Sequence, residues 1–183
     1  MNMLGHCEQE LGGKKEKGLA LNCTAKGKKE GVSEKVARFI VSIGYGVGVI
    51  NAHHYKCLMN GKFFATFVSE HFKNIFENST NPQSNLFEQD NDPSQSSAVA
   101  RNAMEALGYS YLKIPARSPD LNPIENIFHH VNKELRESAL TKYIKKESYD
   151  EFVACCQKTL MDFPMEQIDK TIESMHKSLL RWW

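Results

Sequence analysis

The sequence has no aspartate before position 90, so the first half of the chain offers only glutamates as carboxylates. Its five cysteines (Cys7, Cys23, Cys57, Cys155 and Cys156) form no CxxC pair and leave one over. Adjacent Cys155 and Cys156 cannot easily bridge each other, and the pattern reads as reduced thiols in an intracellular protein. The N-terminal MNMLGHCEQELGGKKEKG has no apolar core of signal-peptide length. No run of about 18 apolar residues occurs anywhere, so neither secretion nor a membrane partner is expected. Charge of one sign is also lacking: 23 basic residues face 22 acidic ones, so no global field announces a polyanionic partner, and local patches must decide any such binding. No internal repeat, glycine-rich phosphate loop, GxSxG elbow or HExxH helix is present, which removes several common hydrolase readings.

What is there is enough for one domain. A chain of 183 residues with 41% hydrophobic content can build a single core and hardly two. Residues 1–35 are lysine- and glycine-rich and read as a loosely ordered segment, with KGKKEG (26–31) as its most polar patch. From Val36 the character changes. VARFIVSIGYGVGVI (36–50) holds two β-branched runs about Gly44-Tyr45-Gly46 and predicts a β-hairpin. NGKFFATFVSEHFKNIFEN (60–78) spaces Phe63, Phe64, Phe67, Val68, Phe72, Ile75 and Phe76 as a helix, with Asn60 as its cap.

LFEQDNDP (86–93) predicts a brief strand stopping at a polar corner, followed by a helix over about 95–107 that ends before Gly108. YSYLKIP (109–115) predicts another strand, halted by Pro115. A helix then runs to about residue 140 with Ile124, Ile127, Phe128, Val131 and Leu135 on one face. Two more follow, one opened by a capping box at Ser148–Glu151 and one starting near 165, before the chain closes on Arg181-Trp182-Trp183. That terminal triplet could stack on bases or a partner, or pack on the domain. The order hairpin, helix, strand, helix, strand, helices indicates an α/β protein.

The chemistry concentrates in two stretches. In SPDLNPIEN (118–126), Asn122 is a good N-cap, Pro123 suits the first turn and Glu125 stands three residues after Asn122. That is close to a capping box, and a cap alone is worth roughly 0.5–2 kcal/mol, which suffices as a local explanation of Glu125. In QDNDP (89–93), Asp90 and Asp92 could each simply fix a turn. Taken together, a carboxylate ending a strand and another opening a helix lie where α/β sheets place ligands, and such a pair could hold Mg²⁺, which takes few protein carboxylates and keeps waters. His129, four residues after Glu125, shares its helical flank and is a further ligand or supporting candidate. His53, His54 and Cys57 offer a rival zinc cluster, without a second cluster at zinc spacing.

QDNDPSQSS followed by IPARSPDLNPIEN resembles the catalytic core of Tc/mariner-type DNA transposases. Thirty-four residues lie between Asp90 and Glu125, the interval which that family keeps between the second and third acids of its DDE triad. The resemblance extends, more weakly, from about Leu19 to the C-terminus. It implies a ribonuclease-H-like fold with extra C-terminal helices, and two-metal phosphoryl transfer with Mg²⁺ or Mn²⁺. It further implies transposon-end DNA as partner and the nucleus as compartment. Asp90 and Glu125 would be catalytic metal ligands, Asp92 would shape the corner, and Ser118, Pro119 and Asn122 would set the entry to the Glu125 helix.

The departures matter as much. The family's first aspartate sits on a strand upstream of the hairpin, and nothing in residues 1–35 reads as such a buried strand. Gln95 stands where a histidine often follows the DNDP segment, and the family's N-terminal helix-turn-helix is absent. The expectation is a partial DDE domain over 36–183 that lacks its first strand and is inactive alone. LALNC (19–23) could insert as a substitute strand, the chain could be marginally stable, or it could pair with another copy as a homodimer. The alternative is a non-enzymatic DNA-binding or protein-interaction remnant of a transposase.

Overall fold

The computed structural model describes residues 2–10, 36–84, 86–89, 92–113, 121–141 and 148–181. Strand β2 (Val36–Gly44) is buried on both faces, which is the pattern of a strand inside a sheet rather than at its edge. Its Ala37, Phe39, Val41 and Ile43 point into one core and Ile40 into another. It turns through Tyr45–Val47 into β3 (Gly48–Tyr55), so the predicted hairpin exists and its second strand runs further, through the two histidines. Gly46 and Gly48 carry positive φ values of 72° and 94°, which side-chain-bearing residues rarely adopt. The hairpin tip is then held from outside: the Tyr45 hydroxyl donates to Glu173 at 2.9 Å and the Gly46 N–H to Asp169 at 2.8 Å.

On the other side of β2 lies a strand that sequence reading did not expect. β1 (Asn2–Glu10) pairs antiparallel with β2 from Asn2↔Gly44 to Glu10↔Val36. It also pairs parallel with β4 (Leu86–Gln89) through Asn2↔Phe87 and Met3↔Glu88. β5 (Ser110–Lys113) continues the sheet parallel to β4, giving the order β3-β2-β1-β4-β5. The expected lack of a first strand is therefore corrected, and so is the loose ordering expected over residues 2–10. LALNC and the remainder of 11–35 lie outside the described residues. The physical reason is context. The sequence NMLGHCEQE has no strong strand pattern, but the slot between β2 and β4 presents backbone donors and acceptors on both sides, and a pairing chain segment answers them whatever its propensity.

Helices cover both faces. α1 (Gly61–Glu77) and α2 (Ala98–Ala106) pack with Ile40, Tyr55 and Phe87 on one face. α3 (Pro123–Thr141), α4 (Tyr149–Met161) and α5 (Met165–Arg181) pack on the other against the odd-numbered residues of β2. Two caps read from sequence are in place: the Asn60 side chain accepts from Phe63 N–H at 3.0 Å. At α4, Ser148 and Glu151 exchange both bonds of a capping box, at 3.2 and 2.7 Å. α1 carries the aromatic core: Phe72 meets Phe87 edge-on at 5.1 Å, and Phe76 stacks on Tyr109 at 4.7 Å. Each such pair contributes about 0.5–1.5 kcal/mol beyond its buried area. The described helices include none long and apolar enough to cross a membrane.

Two outcomes follow from this packing. A Cβ on Gly61 would sit 2.1 Å from the Ser97 hydroxyl that caps α2, so Gly61→Ala is expected to destabilise the fold by about 1–3 kcal/mol in urea unfolding. Leu4→Pro removes a ladder donor from the central strand, and a loss of about 3 kcal/mol or more is expected by the same measurement. A wild-type midpoint for Leu4→Pro would mean that β1 is not part of the folded sheet.

Candidate metal centre

The site is built where β4 ends and α3 begins. β4 alternates: Phe87 joins the core under α1 and α2, which places Glu88 on the opposite face, the one α3 to α5 cover. Glu88 is 6% exposed. Burial pushes its carboxyl up to about 7. The neighbouring Gln89 and Gln95 are also buried, with both amide atoms of each unpartnered among the described residues. Such groups ordinarily find partners, since each orphaned one costs about 1–3 kcal/mol.

The corner after β4 is shaped by Asp92. Its Oδ1 accepts from the Ser94 N–H at 2.7 Å and from the Ser94 hydroxyl, while its carbonyl accepts from the Ser96 N–H at 2.9 Å. Ser97 then caps α2 by accepting from the Ala100 N–H at 3.2 Å, and it donates to the Ser94 carbonyl at 3.0 Å. Asp92 is thus engaged in holding the turn, and Gly61 of α1 braces it through Ser97.

α3 begins at Pro123, whose missing N–H costs nothing at this position. Leu121, Ile124 and Ile127 are buried and anchor the first turn. The Glu125 N–H donates to the Asn122 carbonyl at 3.1 Å, and the Glu125 side chain is exposed in the first turn, where a helix N-terminus favours an anion. His129, one turn on, is exposed and its ring lies 5.9 Å from that of His130. Asp90, Ser118 and Pro119 lie outside the described residues, as do Trp182 and Trp183. The structure therefore describes Glu125, Asp92, Asn122 and His129 without placing Asp90 beside them.

The rival zinc cluster does not assemble. Consecutive residues on β3 face opposite ways: His53 packs its ring on Phe67 and His71 of α1, while His54 bonds the Tyr149 hydroxyl of α4 at 3.1 Å. Cys57 is exposed and free. No group of three histidine, cysteine or acidic side chains among the described residues is arranged to hold a metal.

A five-stranded sheet whose first strand lies centrally, antiparallel to a hairpin and parallel to two further strands, has the architecture of a ribonuclease-H-like DDE domain. The Mos1 strand transfer complex superposes with a TM-score of 0.54, at 17% identity over 95% of this chain and 54% of that one. The mariner Mos1 paired end complex with Mg gives 0.53, at 17% identity over 95% and 55%. A family model for the DDE superfamily endonuclease matches residues 17–147, and the chain belongs to that family. Among curated relatives, the Tcb2 transposase of Caenorhabditis briggsae is 30% identical over 111 residues, 57% of this chain and 38% of that protein. The Tc1 transposase of Caenorhabditis elegans is also 30% identical over 111 residues, with the same shares. The chain thus spans little over a third, 38%, of the length of these relatives.

Two features escaped sequence reading. Glu88 was hidden because a four-residue strand is too short to show alternation, although an acid inside LFEQ was the available signal. His71 was read only as part of a helix, yet its ring centroid lies 4.6 Å from that of His53. Burial, and then the neighbouring His71, hold His53 below the ordinary histidine value of 6.5, and burial followed by Lys56 does the same for His54. Such rings stay neutral in the folded state and take up protons on unfolding, so stability present above the unfolded value is lost as pH falls through the folded one. The melting temperature is expected to drop between about pH 7.5 and about pH 5.5. His53→Phe, which keeps a ring against Phe67 and His71, should shrink that drop, and an unchanged drop would remove His53 as its source.

Proposed function

We propose that this chain is a transposase catalytic-domain remnant that keeps the divalent-metal ligands Asp90 and Glu125 but does not cleave DNA strands by itself. The observation that carries the reading is the composition of the central strand. β1 pairs with both β2 and β4, yet it contains no aspartate, and its two acids, Glu8 and Glu10, lie five and seven residues beyond the Met3↔Glu88 pair. The residue two beyond Met3 is Gly5, which has no side chain to offer. A strand slot between the hairpin and β4 is thus filled without the short carboxylate that a complete triad would place there.

By residue type, two carboxylates would suit a divalent ion of the magnesium type, although no group among the described residues is arranged to hold one. The side chains proposed to hold it, Asp90 and Glu125, are oxygen donors, and Glu125 sits exposed at a helix start. Asp90 and Glu125 would hold such an ion, which in a complete site would supply activation of an attacking water or 3′-hydroxyl and stabilisation of the leaving oxygen. The chain's own contribution is positional: the Asp92 turn fixes the corner after β4, and Pro123 with Ile124 fixes the start of the Glu125 helix. Transposon-end DNA as partner, Mg²⁺ or Mn²⁺ as cofactor, a nuclear location and pairing with a second copy rest on the likeness to Tc1-type transposases and to the Mos1 complexes.

The test is a nicking assay on duplex carrying transposon ends, with Mg²⁺ or Mn²⁺ and the whole chain. No metal-dependent nicking is expected. Cleavage that Glu125→Gln abolishes would overturn the inactive reading. Binding that weakens steeply with salt, without nicking, would mark a domain retained for DNA contact.

A further inference from the structure

We propose that Asn60–Gly61 is a site of spontaneous covalent modification, where the chain deamidates and partly rearranges to isoaspartate, and that the rearranged form loosens the Asp92 corner. The inference is independent of the metal reading. Three observations carry it.

The first is that the fold fixes this dipeptide from both sides. It is the one Asn-Gly pair in the sequence. Asn60 caps α1: its side chain accepts from the Phe63 N–H at 3.0 Å and its carbonyl from the Phe64 N–H at 2.9 Å. Gly61 presses on Ser97, where any Cβ would collide with the side chain that caps α2. Cap and contact thus each select the residue at their position. The pair they select is the asparagine sequence most open to attack by the following amide, because glycine has no Cβ to hinder it.

The second is access. Residues 56–60 form neither helix nor strand, and Lys56, Cys57, Leu58 and Asn60 are exposed, so water reaches the amide and the backbone has room to turn. As the first amide of α1, the Gly61 N–H lies outside the intrahelical ladder, and a helix start favours the negative charge left when it loses its proton. Water is the one co-reactant needed. The Gly61 nitrogen gives its proton to solvent and attacks Cγ of Asn60. The N–Cγ bond forms, the Cγ–Nδ2 bond breaks, and the amide nitrogen takes a proton from solvent and leaves as ammonia. Water then opens the succinimide: at Cγ it gives aspartate, and at the main-chain carbonyl it gives isoaspartate, whose backbone is longer by a methylene.

The third is what the two products meet. Aspartate keeps the capping oxygen and brings a negative charge to a first turn that holds no acid, so α1 accommodates it. Isoaspartate displaces both acceptors of the cap and moves Gly61 against Ser97. Ser97 donates to the Ser94 carbonyl at 3.0 Å and the Ser94 N–H donates to Asp92 at 2.7 Å, so the shift passes to the corner after β4.

The experiment incubates the whole chain at neutral and mildly alkaline pH and follows its peptides by mass spectrometry with electron-transfer fragmentation, which separates aspartate from isoaspartate. Conversion at Asn60 is expected to outrun that at the other asparagines by about tenfold, and to be faster at the alkaline pH. Melting temperature and hydrogen exchange over residues 92–101 are measured in parallel on fresh and aged chain, on Asn60→Asp, and on Asn60→Ser, which keeps a cap but cannot deamidate. Aged wild type is expected to melt lower and to exchange faster over that segment. Aged Asn60→Ser should do neither, and fresh Asn60→Asp should melt at or above wild type. An Asn60 that stays intact while other asparagines convert overturns the site. Isoaspartate at position 60 with unchanged exchange over 92–101, or an equal loss in aged Asn60→Ser, overturns its link to the corner.

Discussion

The backbone hydrogen bonds of β1 decide whether this sheet is one object. β2 is buried on both faces and lies inside the sheet, and β4 carries buried residues at three of its four positions. Between them lies a gap one strand wide, and leaving it open would orphan the facing amides and carbonyls of both strands. Each buried orphan costs about 1–3 kcal/mol, more than a weak strand former loses by adopting extended geometry. The closure is unequal, however. β1 is paired with β2 along its nine residues, but it meets β4 through only two residue pairs. The seam between the hairpin half of the sheet and the β4–β5 half is short, and side-chain packing must reinforce it.

α1 does so. Its Phe64, Phe67 and Phe72 pack in the same core as Ile40 and Tyr55 on the hairpin side, while Phe72 and Phe76 reach Phe87 and Tyr109 on the far side. The helix therefore lies across the seam, and its first residue, Gly61, is pressed against the Ser97 cap of α2. Through Ser97, Ser94 and Asp92 this contact fixes the corner that follows β4. The position of Asp92 is thus set by aromatic packing on the face of the sheet opposite α3.

Much of this was legible in the sequence wherever one element carried its own signal. The phenylalanine stripe with Asn60 announced α1, the Ser148–Glu151 box announced α4, and the glycines about Tyr45 announced the hairpin turn. The Asp90–Glu125 interval rests on two motifs at a fixed separation, and Asp90 lies outside the described residues. What escaped depends on neighbours rather than on local pattern. β1 is a strand because a slot exists for it, and a reading confined to NMLGHCEQE has no access to that slot. His53 and His54 look like a cluster in one dimension and diverge in three, because a strand sends adjacent side chains to opposite faces.

The acids near the site differ in how far the fold alone accounts for them. Glu125 needs no metal to be where it is: Pro123 starts the helix, Ile124 and Ile127 anchor it, and an exposed carboxylate in a first turn is favoured by the helix dipole. Asp92 likewise has a sufficient structural role in closing its turn on Ser94. Glu88 differs from both: it is buried in β4, and burial raises its carboxyl to about 7, because taking the side chain out of water disfavours its charged form.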